Sequence, residues 1–147
     1  MNNKNLILLD LGDLIREMFR VFKKRCKEHV ADENIISTGQ LTVLHFINEN
    51  ENDVIQKDIA ECLGKDKSSI LRNIDTLEKF DLVRRVSDKN DRRKNFLMIT
   101  KKGNSILNQY KTIGSEILVE LQENIDPSDV KIFREVLNKL KTNAEKI

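Results

Sequence analysis

Ser68, Ser69, Arg72 and Thr76 recur at spacings that place them on one side of a helix. The apolar stripe Ile70, Ile74 and Leu77 (i, i+4, i+7) occupies the other side, at 100° per residue. Hydroxyls at the start of such a helix can bond phosphate oxygens or base edges, and an arginine can fork onto guanine O6 and N7. That face suits the major groove of duplex DNA; a solvated amphipathic helix is the equal alternative. Further along, Asp88-Lys89-Asn90-Asp91-Arg92-Arg93-Lys94 forms a charged tip between two apolar, β-prone stretches, Leu82 to Val86 and Asn95 to Ile99. A basic hairpin hung on a helix-turn-helix is a device for holding duplex DNA by two grooves.

The distribution of charge agrees with this placement. The net charge is only +2. Residues 1–56 carry 7 basic and 9 acidic side chains, residues 57–102 carry 13 and 8, and residues 103–147 carry 6 and 7. The positive excess therefore coincides with the helix and the hairpin, where a polyanion would be met. A charged fraction of 34% is balanced by 39% apolar residues, so a folded chain is expected. A length of 147 residues is enough for one sizeable core. Five Gly and one Pro argue against sandwiches and barrels and favour long helices. Two Cys make no disulfide framework, and the apolar start Leu6-Ile7-Leu8-Leu9 is interrupted by Asp10, Gly12 and Asp13, far short of the ~20 apolar residues of a membrane span. The chain reads as cytoplasmic and reduced, with no membrane partner.

Six helices and the hairpin are needed to position these residues. Leu11, Leu14, Ile15, Met18 and Phe22 predict an amphipathic helix from about Asn5 to Val30. Ser37-Thr38-Gly39-Gln40 has the form of a capping box and opens a second helix. A short third helix from about Gln56 to Leu63 ends at Gly64, and Asp66 caps the fourth, which carries the reading face. After the hairpin, Thr100 caps a long helix carrying Ile106, Leu107, Tyr110, Ile113 and Ile117, and Asp126-Pro127 starts the last one. The long terminal helices hold more apolar residues than a small reading module must cover, which predicts dimerisation.

Gln56-Lys57-Asp58-Ile59-Ala60-Glu61-Cys62-Leu63-Gly64, the helix Asp66 to Glu78, Asp91-Arg92-Arg93 with Leu97, and Thr100-Lys101-Lys102-Gly103 together resemble the MarR family of bacterial regulators. The resemblance implies a mainly α fold with a small β-hairpin wing: a winged helix-turn-helix over residues 35–102 within a single domain of residues 1–147. Residues 1–34 and 103–147 would supply the dimerisation helices. It implies a homodimer on a pseudo-palindromic operator of double-stranded DNA, with half-sites about one helical turn apart, acting as a repressor released by a small ligand. The DNA-binding set is then Lys67, Ser68, Ser69, Arg72, Asn73, Thr76, Arg84, Asp91, Arg92, Arg93 and Lys94. Arg93 would enter the minor groove, where a narrow A·T-rich groove concentrates negative potential. Asp91 would brace the tip, and Arg92 and Lys94 would meet phosphates. Of Arg84 and Arg85, one would reach a phosphate and the other form a surface ion pair. The chain departs from the family pattern at Ile55, where a Ser or Thr cap is usual, and at Asp81, where a Gly commonly ends the recognition helix.

Regulation is less legible. Some members of the family sense oxidants through a Cys near the first helix, and Cys26 lies among Lys24, Arg25 and Lys27, whose charges could lower its pKa; the alternative is a Cys that fills the core. Cys62 reads as core. The resemblance also allows a phenolic or carboxylate effector, for which Arg16, Arg20 or His45 are candidate contacts, with surface ion pairs as the alternative. The two histidines, His29 and His45, have no metal-ligand spacing, so neither a metal nor a cofactor is expected. There is no glycine-rich phosphate loop or nucleophile elbow, and an enzyme is not expected. A winged helix used for protein–protein contact is the alternative from another functional class.

Overall fold

The computed structural model describes residues 3–30, 36–50, 54–89, 91 and 94–147. Eight elements follow in chain order: α1 (Asn3–His29), α2 (Thr38–Glu49), α3 (Gln56–Leu63), α4 (Lys67–Lys79), β1 (Val83–Ser87), β2 (Asn95–Ile99), α5 (Lys101–Leu121) and α6 (Pro127–Ala144). The mainly helical architecture with one antiparallel hairpin is the one the sequence predicts. The chain forms two compact units, Met1–Ile113 and Gly114–Ile147, with α5 running through the division.

In the first unit local chemistry sets most boundaries. The Ser37 hydroxyl accepts the Gln40 N–H at 3.2 Å, and the Gln40 side chain accepts the Ser37 N–H at 2.8 Å, completing the capping box. Gly64 takes a left-handed conformation, φ 59°, and closes α3. The Asp66 carboxylate then accepts the Ser69 N–H at 2.7 Å and starts α4. Ile55 supplies no side-chain cap to α3; the Asp58 carboxylate accepts the Ile55 N–H instead, at 3.0 Å. Asp81 does adopt the left-handed conformation, φ 57°, that a glycine usually takes after such a helix.

The core of this unit is the inner face of α4. Ile70, Ile74 and Leu77 are fully buried, together with Val43, Leu44, Ile59, Leu82 and Val83. α4 packs on α2, α3 and β1, and α2 also meets β2. Each buried aliphatic side chain contributes about 1.5–3 kcal/mol relative to exposure. In the hairpin Val83 pairs with Ile99, Arg85 with Leu97 and Ser87 with Asn95. The Leu97 N–H also bonds the Val54 carbonyl at 2.8 Å, so the outer edge of β2 is partly covered.

The second unit comprises the end of α5 and α6. Asp126 caps α6 through the Ser128 N–H and hydroxyl, with Pro127 in the first turn. Ile132, Phe133, Val136, Leu137 and Leu140 are all exposed along α6. No helix among the described residues is long and apolar enough to cross a membrane.

Candidate nucleic-acid interface

Once α4 has buried Ile70, Ile74 and Leu77, its remaining residues are sorted by their neighbours. Lys67, Ser68 and Arg72 are exposed, and Ser69 and Thr76 are half-buried. The Thr76 hydroxyl donates to the Arg72 carbonyl at 2.9 Å, which ties it to its own helix. Asn73 is turned elsewhere. Its amide nitrogen lies 3.4 Å from where a Cβ on Gly39 would sit, so it packs on the first turn of α2. The exposed polar surface at the start of α4 is therefore centred on Ser68 and Arg72.

The hairpin divides its two arginines by strand register. Arg84 is exposed and has no ion-pair partner among the described residues. Arg85, one residue on, turns to α4, where its guanidinium pairs with Asp75 at 2.6 Å and also with Glu78. Its backbone N–H donates to the second Glu78 oxygen at 3.3 Å. The sequence left open which arginine would form the ion pair; the alternation of side chains along β1 selects Arg85.

At the tip, the Asp88 carboxylate accepts the Asp91 N–H at 2.8 Å, the Asp88 N–H bonds the Lys94 carbonyl at 2.9 Å, and the Lys94 N–H bonds the Asp91 carbonyl at 2.9 Å. Asp88 is thus a tip-former that sequence reasoning passed over, although an Asp that bonds the backbone a few residues on is a familiar turn signal. Lys94 and Asp91 are exposed. Arg92 and Arg93, the expected phosphate and minor-groove contacts, lie outside the described residues.

The wing and α4 are joined to α5 at one turn. The Thr100 hydroxyl donates to the Asp81 carbonyl at 2.7 Å and accepts the Gly103 N–H at 2.9 Å. The Lys102 ammonium donates to the Phe80 carbonyl at the end of α4 at 3.0 Å, where the helix dipole favours a cation. A Cβ on Gly103 would stand 2.1 Å from the Leu82 carbonyl oxygen, so only glycine allows α5 to start this close to the wing.

A cleft of about 520 Å³ opens elsewhere in the first unit, lined among others by Lys23, Cys26, Lys27, Gln40 and Tyr110. The Tyr110 hydroxyl accepts the Ile36 N–H at 3.1 Å, and the ring lies 6.0 Å from that of Phe22. Of the cationic candidates for an effector, Arg16 pairs with Asp13 and Arg20 with Glu17, each at 2.7 Å, and His45 lies beside Glu49; the cations lining the cleft are instead Lys23 and Lys27. Cys26 is 2% exposed, and burial pushes its thiol up from 9.0 to about 11, the opposite of the lowering that Lys24, Arg25 and Lys27 could cause and in keeping with the alternative of a Cys that fills the core. Cys62, expected in the core, is exposed, because α3 turns Ile59 and Ala60 inward. No cluster of metal-ligating side chains occurs among the described residues.

Residues 36–94 match the model of the MarR family. The fold is also similar to that of three solved structures. A MarR family transcriptional regulator from Rhodococcus sp. RHA1 is 21% identical, with 95% of each chain covered and a TM-score of 0.76. CouR from Rhodococcus jostii RHA1, bound to p-coumaroyl-CoA, is 23% identical over 91% of this chain and 90% of that one, with a TM-score of 0.72. A mutant of S. aureus MepR bound to an oligodeoxyribonucleotide is 18% identical over 98% and 99%, with a TM-score of 0.64.

Proposed function

Starting from a winged helix of the MarR family over residues 36–94, we propose that this chain is a homodimeric transcriptional repressor. It reads a pseudo-palindromic operator with α4 in the major groove and the hairpin in the adjacent minor groove. The observation that carries the reading is the exposed pair Ser68 and Arg72 on a helix whose inner face is fully buried, beside a hairpin that exposes Arg84 and Lys94. A rigid helix presenting a hydroxyl and a guanidinium near its start has the chemistry to meet phosphate and guanine. Lys67, Ser69 and Thr76 flank that pair, while Asn73 packs on Gly39 instead, and Asp91, Arg92 and Arg93 belong to the tip. MepR in complex with an oligodeoxyribonucleotide supports the same ligand for this fold.

Dimerisation through residues 1–34 and 103–147 is supported separately in each unit. α1 exposes Leu8, Leu9, Leu14, Ile15 and Phe19, and α6 exposes the apolar row from Ile132 to Leu140. Apolar rows of this length on a monomer signal a missing partner. Release by a small phenolic or carboxylate effector is supported by the cleft, whose aromatic walls and two lysines suit an aromatic or acyl anion, and by the p-coumaroyl-CoA held by CouR.

The deciding experiment is selection of bound sites from a genomic DNA library, followed by a salt titration on the selected duplex. A palindromic site bound with steeply falling affinity as salt rises supports the reading. Absence of salt-dependent binding favours the protein–protein module instead.

A further inference from the structure

α4, the recognition helix, carries two carboxylates, Asp75 and Glu78, and both are held by one residue of the wing. Asp75 lies three residues after Arg72, so it shares the outer side of the helix with Ser68 and Arg72. Left alone, a pair of anions there would oppose any approach of phosphates. Arg85 reaches across from β1 and meets both: Asp75 at 2.6 Å, and Glu78 through the guanidinium and, at 3.3 Å, the backbone N–H. A guanidinium with a fixed fork of donors can satisfy two carboxylates at once, which an ammonium does poorly.

We propose that Arg85 is a positioning residue for DNA binding that acts without touching DNA. It neutralises Asp75 and Glu78, so that the reading helix and the wing present one cationic surface. The inference rests on the proposed DNA-binding function. The basic excess of residues 57–102 is then not spent evenly: Arg84 and Lys94 remain exposed to meet a polyanion, while Arg85 cancels an internal charge.

The test uses the full-length protein and a fluorescent A·T-rich duplex of about 30 base pairs, at low and at physiological salt, where a Debye length of roughly 30 Å contracts to about 8 Å. Wild type must first bind with salt-dependent affinity; if it does not, the DNA-binding reading itself fails. Given that binding, Arg85→Gln should weaken affinity about tenfold or more at low salt, with a smaller loss at high salt, since unmasked carboxylates repel through a screened field. Adding Asp75→Asn and Glu78→Gln to that variant should recover most of the loss. The pair Asp75→Asn with Glu78→Gln, with Arg85 retained, should bind more tightly than wild type and with a steeper salt dependence, because it frees a cation beside the DNA. This second variant tests the proposal even if Arg85→Gln unfolds. Circular dichroism melts identify variants that have lost the fold. Wild-type affinity in a folded Arg85→Gln, a loss that the neutral triple variant does not recover, or no tightening in the carboxylate pair would overturn the proposal.

Discussion

The Thr100 hydroxyl donates to the Asp81 carbonyl at 2.7 Å, across the wing. Asp81 is the left-handed residue that follows α4, and Thr100 caps α5, so one hydroxyl joins the end of α4 to the start of the next long helix. Thr100→Val removes both bonds while keeping shape. It should lower unfolding stability by about 1–3 kcal/mol in urea denaturation, whereas Thr100→Ser should stay within about 0.5 kcal/mol of wild type. Equal stability of Val and wild type would show that the cap is dispensable.

Two glycines in helices should respond oppositely to alanine. A Cβ on Gly103 would stand 2.1 Å from the Leu82 carbonyl oxygen and 2.8 Å from the Ile99 side chain, so Gly103→Ala must displace backbone and should cost about 2 kcal/mol or more. Nothing lies within 4 Å of a Cβ at Gly12. Gly12→Ala should stabilise α1 by about 0.5–1 kcal/mol. Thermal melts of the two variants, with shifts of opposite sign, check the pair.

Thiol labelling should separate the two cysteines. In native protein at pH 8, a maleimide or disulfide reagent should modify Cys62, which is exposed, far faster than Cys26, which is buried with its pKa pushed up to about 11. Mass mapping of the first modified site decides; early modification of Cys26 would revive the thiol-sensor reading.

The raised Cys26 pKa also sets a pH dependence. The unfolded thiol ionises near 9.0 and the folded one near 11. The folded form therefore keeps its full stability below pH 9.0 and loses it as pH rises towards 11, by at most about 2–3 kcal/mol from this group. Cys26→Ala should flatten that part of the curve relative to wild type, although it lowers stability at every pH through the lost packing. Parallel curves for the two proteins over pH 9–11 would contradict the assignment.

Side chains at the interface should fail in distinct ways on a selected operator. Arg72→Ala should cost about 1–3 kcal/mol and relax sequence preference at one position, as a base contact does. Arg84→Ala and Lys94→Ala should weaken all duplexes alike and reduce the salt slope by about 1 each. Arg93→Ala should cost about 1–3 kcal/mol on an A·T-rich operator. Mobility-shift titrations on operator and scrambled duplex separate these outcomes.

The sequence by itself determined the elements and their ends. The Ser37–Gln40 capping box, the left-handed Gly64, the Asp66 cap and Asp126-Pro127 rest on bonds between residues two to four apart, so they could be read without knowing the fold. The side of α4 that is buried was equally legible, because a helical period leaves one answer for Ile70, Ile74 and Leu77. What only the tertiary structure decided was the direction of residues whose neighbours are distant in sequence. Asn73 faces Gly39 and Arg85 faces Asp75 and Glu78, while Arg84 is left to solvent. Cys26, set among charges in the sequence, is buried, and Cys62, set among apolar residues, is not. A period names a face, but packing against another element decides which face meets protein and which meets solvent, and that depends on contacts formed only when the chain folds.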